Sequence, residues 1–174
     1  MRKLVLVVGI LAVLPLSARA QRVELFGGYS YARVETASFS RSNVNGWNLA
    51  LQANANDYLG FVGDFSGLYG TRTVVPGIER NVNTHMALFG PRVMLPGTVR
   101  PFAHALFGVA RGNAGFFGGA TSETTFGMVA GGGIDVVAGP LVSVRLIQAD
   151  YLMNRFFSRT SNNFRISAGV VLRF

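Results

Sequence analysis

The chain has no cysteine, one tryptophan, two histidines and only eight acidic residues in 174. Without cysteine there is no disulfide framework, no thiol nucleophile and no zinc–thiolate site. Lysine is missing after Lys3, so every later cation is an arginine. Beyond Ala20 there is also no apolar run of roughly 18 residues, the length from which a membrane-spanning helix is read, although 49% of residues are hydrophobic and mean hydropathy is +0.35. Apolar side chains that are abundant yet never continuous point to strands with one apolar face.

The one compact apolar run is at the start. Arg2 and Lys3 precede residues 4–16, followed by Ser17-Ala18-Arg19-Ala20, a small-residue site of A-x-A type. The run is too short to cross hydrocarbon as a helix and reads as a secretory signal cleaved after Ala20. Two segments are expected: a signal peptide over 1–20 and one domain over 21–174. After position 20, thirteen arginines face eight acidic residues. The arginines are scattered rather than interleaved with aromatics in a patch, which argues against nucleic acid as a partner.

Period-2 alternation divides the domain into eight segments. The last is the clearest: Phe164, Ile166, Ala168, Val170, Leu172 and Phe174 alternate with Arg165, Ser167, Gly169, Val171 and Arg173. The first, 23–33, sets Val23, Leu25, Gly27, Tyr29 and Tyr31 against Glu24, Phe26, Gly28, Ser30 and Ala32. Segments 46–54, 58–69, 99–111 and 125–137 each show one apolar face. Two are irregular. Segment 84–94 carries Pro91, which lacks a ladder donor and belongs near a strand end or irregularity. In 141–152, Arg145 falls on one parity and Gln148 and Asp150 on the other, so a bulge between Arg145 and Gln148 is expected to turn all three to the same side.

Connections alternate in length: 35–45, 70–83, 112–124 and 153–163 read as long loops, and 55–57, 96–98 and 138–140 as short turns. Short turns belong to the periplasmic rim of an outer-membrane barrel and long loops to the outside, so both termini are expected to be periplasmic and the strand number even. The expected fold is all-β: a closed, antiparallel, up-and-down transmembrane barrel of eight strands.

Strand count, loop rhythm, residues 100–111 (RPFAHALFGVAR) and the ending 165–174 (RISAGVVLRF) resemble the eight-stranded outer-membrane barrel superfamily typified by the transmembrane domain of outer-membrane protein A. The resemblance spans residues 21–174 and lacks that protein's peptidoglycan-binding domain. It implies the outer membrane as location, outer-membrane lipid as surroundings, and the barrel-assembly machinery as a partner during biogenesis. The alternating Phe164, Ile166, Ala168, Val170, Leu172 and terminal Phe174 are similar to the signal that machinery reads.

Parity points Glu24, Asp64, His104, Asp135, Arg145, Asp150, Arg165 and Arg173 inward. A barrel this small has no continuous water channel, so these residues are expected to form a luminal ionic network. Arginine suits it, because its planar fork engages several carboxylates and keeps its proton. No catalytic residue, metal site or cofactor is assigned. His85 beside Ser66 or Ser122 would be needed for a lipid-hydrolysing site, and no spacing demands it. The expectation is a non-enzymatic, monomeric barrel with a structural or surface-interaction role through its loops, where Phe39, Arg41, Arg72, Arg80, Phe116, Phe117, Arg155 and Arg159 offer contacts; a narrow channel is the alternative, and a lipid-modifying enzyme the third reading.

Overall fold

The computed structural model describes residues 23–35, 41–75, 78–116, 119–156 and 159–174. The expected signal segment, Phe39 and Phe117 lie outside them. The described residues form eight strands: β1 (Val23–Glu35), β2 (Arg41–Asn54), β3 (Leu59–Val75), β4 (Ile78–Met94), β5 (Val99–Phe116), β6 (Gly119–Val137), β7 (Val142–Phe156) and β8 (Arg159–Arg173). Each pairs antiparallel with its neighbours in sequence, and β8 closes the barrel on β1 from Glu24↔Arg173 to Arg33↔Phe164. Closure leaves no strand edge, so the backbone groups that a lipid environment cannot satisfy are paired within the wall.

Alternation sorts the side chains. Tyr29, Trp47, Leu51, Phe61, Phe89, Val109, Phe126 and Phe164 are exposed on the outside. Phe26, Val62, Leu88, Leu106, Val129 and Val171 are buried inside. On β3 the exposed apolar band runs from Leu59 to Tyr69, which matches the roughly 9–11 residues a tilted strand needs to cross hydrocarbon. The strand then continues to Val75.

That surplus corrects the loop assignment. The four segments read as long loops are mostly strand: the β3–β4 ladder carries on through Thr71↔Asn81 and Thr73↔Glu79, β5–β6 reaches Phe116↔Gly119, and β7–β8 reaches Phe156↔Arg159. Polar residues in a strand that has left the hydrocarbon keep their ladder but lose the alternation, so composition alone made them look like loops. At the other rim the turns are short, and Gly97 takes the left-handed region (φ 146°) that the Pro96-Gly97 turn requires.

The irregular strands are resolved. Register shifts between Arg145 and Gln148 on the β7–β8 side and between Ile134 and Asp135 on the β6–β7 side. Leu146 and Ile147 are consecutive yet 58% and 44% exposed. This bulge turns Arg145, Gln148 and Asp150 all inward, where they are buried. Pro91 pairs with Phe61 on β3, while the β4–β5 ladder skips from Phe89↔Phe107 to Arg92↔His104. The missing proline donor accounts for the skip.

Candidate functional site

The lumen collects the polar chemistry of the chain. Arg145 on β7 forks onto Asp135 of β6, its Nε donating to Oδ1 at 2.7 Å and its Nη2 to Oδ2 at 3.0 Å. Its third nitrogen donates to Gln148 Oε1 at 2.6 Å, and Gln148 Nε2 donates to Asp150 Oδ2 at 2.8 Å. Asp150 is the hub, because Arg165 of β8 also donates to its Oδ2 at 2.7 and 2.9 Å, and His104 Nε2 lies 2.9 Å from its Oδ1. Arg165 reaches across the barrel to β3, contacting Asp64 at 3.3 Å and donating to Ser66 Oγ at 2.8 Å. Asn48 Nδ2 donates to Asp64 Oδ2 at 2.8 Å. Bidentate and bridging arginines of this kind suit a desolvated interior, where a carboxylate left alone would cost several kcal/mol.

Nearer the short turns, Arg100 donates to Glu24 Oε1 at 2.9 Å. Arg92 is buried and donates to Gln52 Oε1. Its guanidinium lies 4.0 Å from the centre of the Phe102 ring, and that of Arg145 lies 4.5 Å from Phe102 and 4.1 Å from Phe26. The ring faces add attraction to the hydrogen bonds these arginines already make. Within the lumen four arginines (Arg92, Arg100, Arg145, Arg165) match four carboxylates (Glu24, Asp64, Asp135, Asp150).

The structure thus gathers six of the eight sequence-assigned residues into ion pairs and His104 into a hydrogen bond with Asp150, in two clusters: Arg100–Glu24, and the larger set joined through Gln148. Arg173 stands apart: it is partly exposed and donates to the backbone carbonyls of Gly139 and Pro140, at 2.8 and 3.4 Å, tying down the β6–β7 turn. Sequence reasoning missed Arg92 and Arg100. Both share the parity of buried neighbours, Leu88 and Met94 on β4, Phe102 and Leu106 on β5. The glycine-rich stretch of β6 serves the same interior. A Cβ on Gly131 would stand 2.1 Å from Asp150 Oδ1 and 2.6 Å from the Ala149 carbonyl, so glycine leaves the room the hub fills.

Along the strands toward the long hairpins, the inward positions change from charged to apolar. Ala32, Val44, Leu68, Met86, Ala110, Val129 and Leu152 are all buried there. They form an apolar collar between the ionic network and the hairpins. The hairpin ends themselves hold seven arginines (33, 41, 72, 80, 111, 155 and 159) against three glutamates (35, 79 and 123). With the lumen balanced, most of the chain's positive excess after position 20 therefore resides at that end.

The lipid-hydrolysing site weighed in the sequence is not assembled among the described residues. Ser66 is buried in the lumen, whereas His85 is exposed on the outer wall. Among the described residues, no serine hydroxyl is bonded to His85; Ser122 Oγ instead accepts from Arg111 at 3.4 Å. Among the same residues, no group of three His, Asp or Glu side chains could hold a metal ion.

Comparison with known proteins agrees with this architecture. Residues 4–174 match the model of the outer membrane protein beta-barrel domain. No curated protein matches the sequence. Among solved structures, the chain is similar to Ail, the attachment invasion locus protein of Yersinia pestis (19% identity, 90% of this chain and 100% of that one, TM-score 0.67). It is likewise similar to Neisserial surface protein A (16% identity, 87% and 97%, TM-score 0.66) and to OprG of Pseudomonas aeruginosa (9% identity, 90% and 97%, TM-score 0.59). These identities speak for the fold alone, and the family match covers nearly the whole sequence. The chain belongs to the outer membrane protein β-barrel family.

Proposed function

We propose that this protein is a closed, non-enzymatic outer-membrane barrel that presents its long hairpins at the cell surface for structural or surface-interaction work. The observation that carries the reading is the filled lumen. Buried arginine–carboxylate pairs occupy one part of it and the apolar collar the rest, so both a solute path and a water-filled active site lack room. A narrow channel would need that interior to open. The arginine excess of the hairpin ends favours an acidic partner. A crystal structure of Ail in complex with the heparin analogue sucrose octasulfate offers a parallel in a barrel of the same fold.

The same reading has residues 1–20 removed on export, the domain at 21–174 working as a monomer, and both termini in the periplasm. It also gives β8 a second task. Phe164, Ile166, Ala168, Val170, Leu172 and Phe174 line its outward face and end on an exposed aromatic, the pattern by which the barrel-assembly machinery would recognise the chain.

Orientation is directly testable because the chain has no cysteine. Ser158→Cys, between β7 and β8, should react with a membrane-impermeant maleimide on intact cells. Ala138→Cys, in the β6–β7 turn, should react only after the envelope is breached. The reverse pattern would overturn the surface role.

A further inference from the structure

His85 and Arg111 are polar side chains on the outer wall, outside the luminal network. They lie directly opposite each other in the β4–β5 ladder, both exposed on the outer wall. Below them the same faces are apolar: Ala87 and Phe89 precede His85 in depth on β4, and Phe107 and Val109 precede Arg111 on β5. Beside them runs an aromatic belt. Trp47 Nε1 donates to the Tyr69 hydroxyl at 3.3 Å, and the Tyr69 ring meets His85 edge-on at 5.6 Å. Trp and Tyr gather where hydrocarbon gives way to headgroups. His85 and Arg111 therefore stand at the headgroup level of the leaflet on the hairpin side.

The bond from Arg111 to Ser122 Oγ is long, at 3.4 Å. A guanidinium presents five donors in a fork shaped for phosphate, and an imidazole supplies an N–H donor in either tautomer. We propose that His85 and Arg111 form a binding site for the phosphate of a lipid headgroup, with Tyr69 and Trp47 packing against the same lipid beside it. The site rests on the membrane-spanning reading of the barrel, and it commits to a lipid because the pair faces the bilayer rather than the tips where a soluble polyanion would approach.

The test uses the refolded protein in phosphatidylcholine vesicles containing a trace of spin-labelled phosphatidic acid or spin-labelled phosphatidylcholine. Electron paramagnetic resonance reads the motionally restricted fraction of each label, and a heat-modifiability gel confirms that the barrel is folded and inserted. Wild type should favour phosphatidic acid by about five-fold, the worth of one cation at a membrane surface. His85→Ala/Arg111→Ala should remove that preference while restricting phosphatidylcholine as before. Equal selectivity in wild type and double variant would overturn the site, as would no selectivity in wild type. Binding of soluble heparin that depends on Arg111, without lipid selectivity, would also overturn it. A barrel that restricted neither label would instead contradict the membrane-spanning reading.

Discussion

The two parts of the lumen solve the same problem in different ways. Toward the short turns the interior is filled by arginine–carboxylate pairs reaching across strands, as Arg165 does from β8 to Asp64 on β3. Toward the hairpins it is filled by Ala32, Val44, Leu68, Met86, Ala110, Val129 and Leu152. The ionic part is brittle: removing one partner strands another charge in a dry interior. The apolar part is forgiving, because a truncated side chain leaves only a void that its neighbours partly close. On the proposed reading the network holds the wall together and the collar keeps water out.

Substitutions can break or sharpen this contrast, each read by urea unfolding of the vesicle-inserted barrel with Trp47, the single tryptophan, as reporter. Arg165→Met should have the largest effect, about 3–5 kcal/mol, since Asp64 and Asp150 both lose their main partner. Arg145→Met should cost about 3 kcal/mol alone, and Arg145→Met with Asp135→Leu less than the sum of the two single changes. Leu152→Ala in the collar should cost about 2 kcal/mol, so a loss matching that of Arg165→Met would erase the distinction between the two parts. Arg173→Ala, which gives up bonds to two turn carbonyls at a partly exposed rim, should cost about 1 kcal/mol or less. Deleting Phe174 should be smaller still in refolded protein, because the residue is largely exposed. In cells, by contrast, it should sharply reduce the heat-modifiable folded fraction if β8 carries the assembly signal; an equal fraction in cells would remove that role.

The wall was more legible in the sequence than its contents. Alternation of period two assigns faces on β1, β2, β5, β6 and β8 directly, and it even located the β7 bulge, because Arg145 and Gln148 fall on opposite parities and both needed burial. It failed where physics stops requiring alternation. Past Tyr69 the β3 strand leaves the hydrocarbon, Thr71 and Arg72 are both polar, and a continuing ladder looks like a loop. Arg92 was hidden for a different reason: both parities of β4 are apolar nearby, with Leu88 and Met94 inside and Phe89 and Val93 outside. Which carboxylate an inward arginine meets depends on strands far apart in sequence, as with Arg165 and Asp64, so pairings could not be read at all. Arg173 shows the converse, an inward parity so near the rim that turn carbonyls are the closer acceptors.

Single-channel recording in planar bilayers tests the sealed lumen most directly. Wild type should give no stable conductance steps, Leu68→Ser/Leu152→Ser should give small frequent ones by letting water past the collar, and an inserted Arg165→Met barrel should stay silent while its collar is intact. Stable steps from wild type, or steps from Arg165→Met with none from the collar variant, would contradict a lumen sealed by its apolar end.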